Sequence, residues 1–447
     1  MRWIRGKVLI VLLVLVGLFA AYTGGRLTVD NMQRDGAAST LFGWDTSFYF
    51  FWLRSAVLDG DIDFENDIRL SDTLPEQEKS YSINRLKRTD TGLIPNKYPV
   101  GWAVFHAPWF LAGHGTALGL DKLGVDVRTD GYGTTYEVFL YAGSLFYAAL
   151  SMWLTYQLLL RFFEKRVAWA SLILVWASSF LIFYQLRQYA MAHNLTYLCL
   201  VSTFYWIFAI REMPPLKRNW AMLGLSVGML AITRYQAVVY LLFPFLIAVW
   251  ELGSRRATLK AAGVCLLSLA LPVVLQLFCW KLLYGTWLVY TYEGEGFLWA
   301  DPAWGKSLFN ANHGLIYWHP IFALGLLGLL VFLFSRQLVL SWTWLVSIAA
   351  VYYINAAWHC WWFGVSFGNR AYEGVTLFLF FGVAALLKAV EGRPVALKGA
   401  LWTVLVALAV WNIGVMNVVI YSWITGVGLT GAESFGDLGR AILEFWF

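Results

Sequence analysis

Residues 98–120 read YPVGWAVFHAPWFLAGHGTALGL, and the placement of this apolar run decides the topology of the whole chain. About 20 residues suffice to cross the ~30 Å of bilayer hydrocarbon, so it is long enough to span. If it did span, Arg161, Lys165, Arg166 and every later basic cluster would fall outside the cell. Lys and Arg near membrane spans are retained on the cytoplasmic side. The run is therefore expected to lie on the outer surface or to dip in and return. The loops then sort by charge. The cytoplasmic clusters are Arg2/Arg5/Lys7, Arg161/Lys165/Arg166, Arg211/Lys217/Arg218, Arg255/Arg256/Lys260, Arg336 and Lys388/Arg393/Lys398. Of the 27 acidic residues, only Glu164, Glu212, Glu251 and Glu391 share that side.

Composition agrees with a bilayer protein. The 447 residues are 60% hydrophobic and 13% charged, against roughly half and a quarter in soluble domains. Aromatic residues reach 18%, and Trp and Tyr favour the membrane–water boundary. Apolar runs at 8–22, 135–160, 167–184, 194–211, 219–233, 236–250, 259–283, 314–334, 338–356, 375–390 and 399–421 predict about eleven spans. The first follows a basic start and is read as a retained helix rather than a cleaved signal. The expected fold class is an all-α polytopic bundle, N-terminus cytoplasmic and C-terminus periplasmic. Lone strands cannot satisfy their backbone in lipid. One domain, 1–447, carries a long first outer loop at 23–134 with surface-lying helices, outer loops at 284–313 and 357–374, and an outer tail at 422–447. The net charge of +6 then reflects basic residues retained inside, and no nucleic-acid partner is expected. Cys199, Cys265, Cys279 and Cys360 lie in or beside apolar runs without metal-ligand spacing, so neither disulfides nor a zinc site is implied. Gly224 and Gly228 are spaced for close helix packing.

The outer side carries the chemistry-bearing residues. Asp45, in Gly43-Trp44-Asp45-Thr46-Ser47-Phe48-Tyr49, is a carboxylate among aromatics; taken alone it reads as a helix N-cap. Asp59-Gly60-Asp61-Ile62-Asp63 begins like a calcium loop, but Phe64 and Leu70 stand where Gly and a bidentate Glu are needed. A solvated acidic turn is expected there. Lys97, Arg187, Arg234 and Arg370 fall in outer loops or at outer helix ends. A cation at the hydrocarbon edge is costly, and it usually has a partner or a task. Arg binds phosphate with a planar fork. The structural alternative for each is headgroup snorkelling, or pairing with a nearby acid such as Glu373. His106, His114, His193, His313, His319 and His359 lie on or near the outer side without ligand spacing on one helix face. No resident metal is expected, although the acidic face leaves room for a divalent cation.

Three pieces of the chain carry a resemblance. The first is Trp44-Asp45-Thr46-Ser47-Phe48-Tyr49, with Arg54-Ser55 and Asp59-Gly60-Asp61-Ile62-Asp63-Phe64. The second is Tyr284-Gly285-Thr286, Tyr292-Glu293-Gly294-Glu295-Gly296-Phe297 and His313-Gly314-Leu315-Ile316-Tyr317-Trp318-His319-Pro320. The third is Trp361-Trp362-Phe363-Gly364-Val365-Ser366-Phe367-Gly368-Asn369-Arg370. Together they resemble the GT-C class of membrane glycosyltransferases, especially bacterial relatives of the protein O-mannosyltransferases and the lipid A aminoarabinose transferases. The resemblance implies surface-lying helices in the first outer loop and an acidic catalytic base there, which maps onto Asp45. Many relatives follow that acid with a second; here Thr46 takes its place.

The resemblance further implies a polyprenyl-phosphate-linked sugar as donor, membrane lipids as surroundings, and a glycan, lipid or protein hydroxyl as acceptor. Asp45 would take the acceptor's proton as its oxygen inverts the anomeric carbon. Arg370, Arg234, Lys97 and Arg187 would hold the donor phosphate. Glu293, Glu295, Tyr49, His319, Trp362 and Asn369 would line the sugar and acceptor sites. The location implied is the plasma (inner) membrane, with functional loops on the periplasmic side. Two other readings use the same hydropathy: a transporter or lipid flippase, and an O-antigen-type polymerase or ligase. Transporters place ionisable residues near the bilayer midplane, whereas Arg234, Glu251 and Lys281 sit near the ends of the expected spans.

Overall fold

The computed structural model describes residues 41, 44–71, 87–213, 216–252, 256–336, 339–364, 366–425 and 433–446. The expected first span at 8–22 lies outside them. The described residues form helices and no sheet; Phe297 and Trp358 make an isolated antiparallel bridge. Among the described residues, four helices are long and apolar enough to cross a membrane: Thr134–Leu159, His193–Glu212, Lys260–Tyr284 and Val395–Ser422. Ile321–Phe334 and Val375–Ala389 are shorter apolar helices. The expected run at 98–120 forms the helix Gly101–Lys122, with Pro108 inside it.

In chain order the helices are α1 (Trp44–Arg54), α2 (Glu65–Ser71), α3 (Gly101–Lys122), α4 (Thr134–Leu159), α5 (Lys165–Ser178), α6 (Leu181–Leu186), α7 (His193–Glu212), α8 (Lys217–Thr233), α9 (Val239–Leu252) and α10 (Arg256–Tyr284). There follow α11 (Trp304–Phe309), α12 (Leu315–Trp318), α13 (Ile321–Arg336), α14 (Val339–Ala357), α15 (Val375–Ala389), α16 (Val395–Thr425) and α17 (Phe435–Trp446). The expected span at 167–184 is two helices, α5 and α6. The chain turns extended at Ser179 between them, and Asn412 of α16 donates to the carbonyls of Ala177 and Ser179. A neighbouring helix thus satisfies the backbone that the break exposes, which makes the break tolerable in lipid.

Packing is tightest where glycine removes the side chain. A Cβ on Gly224 of α8 would stand 2.0 Å from the Cys265 carbonyl oxygen of α10, and one on Gly228 would meet Leu269 of the same helix. The expectation of close packing at this pair is met. In α15, a Cβ on Gly382 would fall 1.8 Å from the Gly325 carbonyl of α13. Small residues let the backbones approach, so dispersion and weak polar contacts replace the missing hydrophobic drive.

Three of the turns that carry basic clusters, those at Arg161, Glu212 and Lys388, meet at one end of the bundle. Lys388, after α15, pairs with Glu164 before α5 at 2.8 Å, and Arg161 pairs with Glu212 at the end of α7. Asp45 and the other candidate site residues belong to segments at the opposite ends of these helices.

Candidate active site

Helix α1 is apolar on nearly every side, and residues 46–55 are buried. A helix without a polar face has to be enclosed. The enclosing segment is 94–100. Asn96 donates to the Phe48 carbonyl at 2.7 Å, Trp52 Nε1 to the Tyr98 carbonyl at 2.9 Å, and the Val100 amide to Gln276 of α10 at 2.9 Å. Tyr284 and Thr291 donate to the carbonyls of Asn96 and Lys97. These bonds fix Lys97 and Tyr98 above the first turn of α1.

Asp45 lies in that first turn. Its Oδ1 accepts the hydroxyl of Tyr98, and its Oδ2 pairs with Arg370 Nη2 at 2.9 Å. Neither oxygen caps the helix, so the N-cap reading is overturned. Burial pushes the Asp45 carboxyl up, but Arg370, Tyr98, Lys97 and His193 outweigh it and hold it below the usual carboxylate range. Burial likewise opposes the charge on Arg370, and Asp45 more than restores it. Tyr98 stays protonated well past its ordinary value, first through burial and then through Asp45.

Arg370 reaches Asp45 from a short 3₁₀ turn, Arg370–Tyr372. The preceding Gly368 has φ +68°, and a Cβ there would sit 2.1 Å from His319 Nε2. His319 is buried behind this segment with Nδ1 on Asn412 at 2.8 Å. Asn369 is buried and donates to the Trp361 carbonyl at 3.0 Å. Both residues brace the Arg370 loop rather than face the Asp45 cluster. Trp362 packs on Trp361, ring centroids 5.6 Å apart, at the edge of the same loop.

The alternative of pairing with Glu373 is realised at Arg234 and not at Arg370. Glu373 belongs to Arg234, which lies 3.1 Å away, and His193 Nδ1 stands 2.6 Å from the same Arg234 Nη1. The same Nδ1 lies 3.1 Å from Glu373 Oε2, so Arg234, His193 and Glu373 form one largely buried cluster. Burial would raise Glu373, but Arg234 and His193 hold it below its ordinary range.

Lys97 pairs with Glu295 and stands 5.1 Å above the Tyr292 ring; His359 is 3.7 Å from Glu295. Tyr49 packs against Tyr98 with the rings tilted and their centroids 4.9 Å apart. Asp45, Arg370, Tyr49, Lys97, Glu295 and Arg234 are therefore gathered into one electrostatic neighbourhood. Glu293 is exposed on the loop. Arg187 points elsewhere: its electrostatic neighbours are Tyr189, Glu137 and Tyr141, and burial lowers it to about 10. Its Nε and Nη1 have no hydrogen-bond partner.

Sequence reasoning did not assign roles to Tyr98, Tyr292, His193 and Glu373. Tyr98 directly follows Lys97, and that adjacency is the only signal pointing to it. The acidic turn is not a cation loop: Arg54 Nη1 lies between Asp59 (2.7 Å) and Asp67 (2.8 Å), where a metal would need to be. Among the described residues, no group of three or more His, Cys, Asp or Glu side chains is arranged to hold a metal ion.

No family model matches the chain, and no curated protein matches it in sequence. Solved structures do match. The archaeal oligosaccharyltransferase AglB from Archaeoglobus fulgidus, in complex with an inhibitory peptide and a dolichol-phosphate, aligns with TM-score 0.53 at 12% identity, over 92% of this chain and 56% of that one. The Archaeoglobus fulgidus oligosaccharyltransferase complex with Zn and sulfate aligns with TM-score 0.51 at 14% identity, over 90% and 52%. The chain spans about half the length of these proteins. At such identities the likeness is one of fold. This membrane protein shares its fold with a GT-C type glycosyltransferase, the archaeal oligosaccharyltransferase.

Proposed function

We propose that the chain is an inverting glycosyltransferase that moves a sugar from a polyprenyl-phosphate donor to an acceptor hydroxyl on the non-cytoplasmic face. One observation carries the reading. A carboxylate from the first outer loop and a guanidinium from a late one meet at 2.9 Å, with Lys97 and Arg234 in the same field. That is the equipment needed to take a proton and to receive a phosphate.

The acceptor oxygen attacks the anomeric carbon, forming the new C–O bond on the face opposite the phosphate. The bond from that carbon to the phosphate oxygen breaks, and its electron pair stays on the lipid phosphate. The acceptor's proton passes to Asp45. A base of this kind is worth ~10²–10⁴-fold. Lipid phosphate is a good leaving group, so no strong general acid is needed. Arg370, Arg234 and Lys97 would offset its growing charge in a sheltered site. Tyr49 and Glu295 would contact sugar or acceptor. Arg187, turned toward Glu137 and Tyr189, is the weakest of the phosphate candidates.

The dolichol-phosphate and peptide in the AglB complex support a lipid-linked donor and a glycan, lipid or peptide acceptor. Side is assigned from charge: the basic turns gathered around Lys388, Glu164 and Arg161 would face the cytoplasm of the plasma membrane.

The test is to incubate the purified protein with labelled polyprenyl-phosphate sugars and follow release or transfer of label. Sugar that remains on the carrier under all acceptors would remove the reading. Asp90→Cys and Val395→Cys, each in a background lacking the four native cysteines, test the side. Only the first should react with an impermeant maleimide in intact cells.

A further inference from the structure

Both oxygens of Asp45 are committed in the resting site, Oδ1 to Tyr98 and Oδ2 to Arg370. A carboxylate so held is a weak base, because the guanidinium favours its ionised form. Arg370 itself is only half used. Its Nη1 has a methionine sulfur, Met191 Sδ, at 4.0 Å, a weak acceptor. A planar fork of this kind matches one oxyanion at a time in its strongest, two-pronged geometry.

We propose that Asp45 and the phosphate of an arriving lipid-phosphate sugar compete for the Arg370 fork, so that seating the phosphate releases Asp45 to accept the acceptor's proton. This rests on the glycosyl-transfer reading above and adds an order of events to it. Arg234 does not play this part: its Nη1 is held by the buried Glu373 and His193, and neither of them is the base. Lys97 is held by Glu295, which is not the base. Only at Arg370 is the internal counter-ion also the group that must act. The base is thus masked while the site is empty and unmasked by the substrate that needs it.

The charged and titratable groups facing Asp45 are Arg370, Tyr98 and Lys97, His193 from the start of α7, Tyr49 from α1, and Tyr292 from the outer loop. Removing Arg370 from this set raises the proton affinity of Asp45. Phosphate binding should then take up a proton between the free and bound pKa values of Asp45. By linkage, phosphate affinity should rise as the pH falls through that window.

The test measures farnesyl phosphate binding to the full chain in detergent by calorimetry, with inorganic phosphate as a second arm. Asp45→Asn removes the competitor and should tighten farnesyl phosphate binding by a factor in the roughly 5–150-fold range of site-to-site coupling. In an Arg370→Gln background the same change should bring no gain. An equal gain in both backgrounds would mean simple charge removal and would overturn the exchange. If the variants do not fold, wild-type protein in two buffers of different ionisation heat must show proton uptake on binding; none overturns the proposal. Inorganic phosphate binding as tightly as farnesyl phosphate would overturn the lipid-linked source. Wild-type protein that transfers sugar but shows an additive cycle refutes the exchange alone. Protein that neither binds farnesyl phosphate nor transfers sugar refutes the underlying reading as well.

Discussion

Glu373 closes its ion pair with Arg234, 3.1 Å away, and leaves its sequence neighbour Arg370 to Asp45. The partition matters because each guanidinium is thereby anchored by a different acid. Two cations that could have shared one carboxylate are instead spread over two, and the site has two separate anchoring points for an anion.

Asp45→Asn should lower sugar transfer by about 10²–10⁴-fold. It also leaves Arg370 without its counter-ion, so some fall in melting temperature is expected, smaller than for Glu373→Gln because the Asp45 pair is the more exposed of the two. Turnover by labelled-donor assay checks this. Wild-type turnover in the Asn variant would remove Asp45 from the reaction.

Arg370→Lys keeps the charge and loses the planar fork. Lys is a point charge, so bidentate contact with phosphate is lost. The expected result is a transfer rate reduced by roughly tenfold or more, with KM for the donor raised, and partial rescue relative to Arg370→Gln. Steady-state kinetics on the three proteins decides it. Equal activities for Lys and Gln would mean that charge at 370 plays no part.

Glu373→Gln leaves Arg234 without its buried counter-ion. Breaking a buried pair by removing one partner costs about 3–5 kcal/mol, so a clear fall in thermal stability is expected. Glu373 and Arg234 are 2% and 11% exposed at the side chain. The same change at exposed Glu293 should be silent. Thermal unfolding followed by tryptophan fluorescence measures both.

The acid limb of activity should lie low. Asp45 must be ionised to act, and in the free protein Arg370 and its neighbours hold it below the usual carboxylate range of about 4. kcat/KM should therefore persist below pH 5 and fail only as Asp45 protonates. Stability follows the same sign. The folded-state values of Asp45 and Glu373 are depressed, so their contribution is full above the unfolded carboxylate pKa. It is lost as the pH falls through the folded ones. A pH–rate profile with its acid limb near 6 would contradict this.

Gly382→Leu should separate α15 from α13. The added Cβ alone would fall 1.8 Å from the Gly325 carbonyl oxygen, and overpacking typically costs about 1–3 kcal/mol, with more expected where backbone is struck. Loss of folded yield in detergent is the readout. Gly392→Leu, with nothing within 4 Å of its Cβ position, is the matched control.

Much of the helical layout was legible because apolar run length is a local property. The runs at 135–160, 194–211, 259–283 and 399–421 coincide with the four helices long enough to span. Where the sequence misled, the missing information was non-local. The run at 167–184 carries no Pro or Gly to mark the break after Ser178; the break is held by Asn412 from a distant helix. Asp45 read as an N-cap because capping acids are common at helix starts, and nothing nearby in sequence announces Arg370.

By itself the chain's order of residues determined a helical membrane protein with its basic turns at one end and its candidate chemistry at the other. Hydrophobicity and charge act through the solvent each segment meets, and that can be summed along the chain. Which acid holds which arginine, whether His319 and Asn369 face the site or brace it, and where Arg187 turns were settled only in three dimensions. Ion pairs are short-range and directional, and their partners here come from helices far apart in the chain.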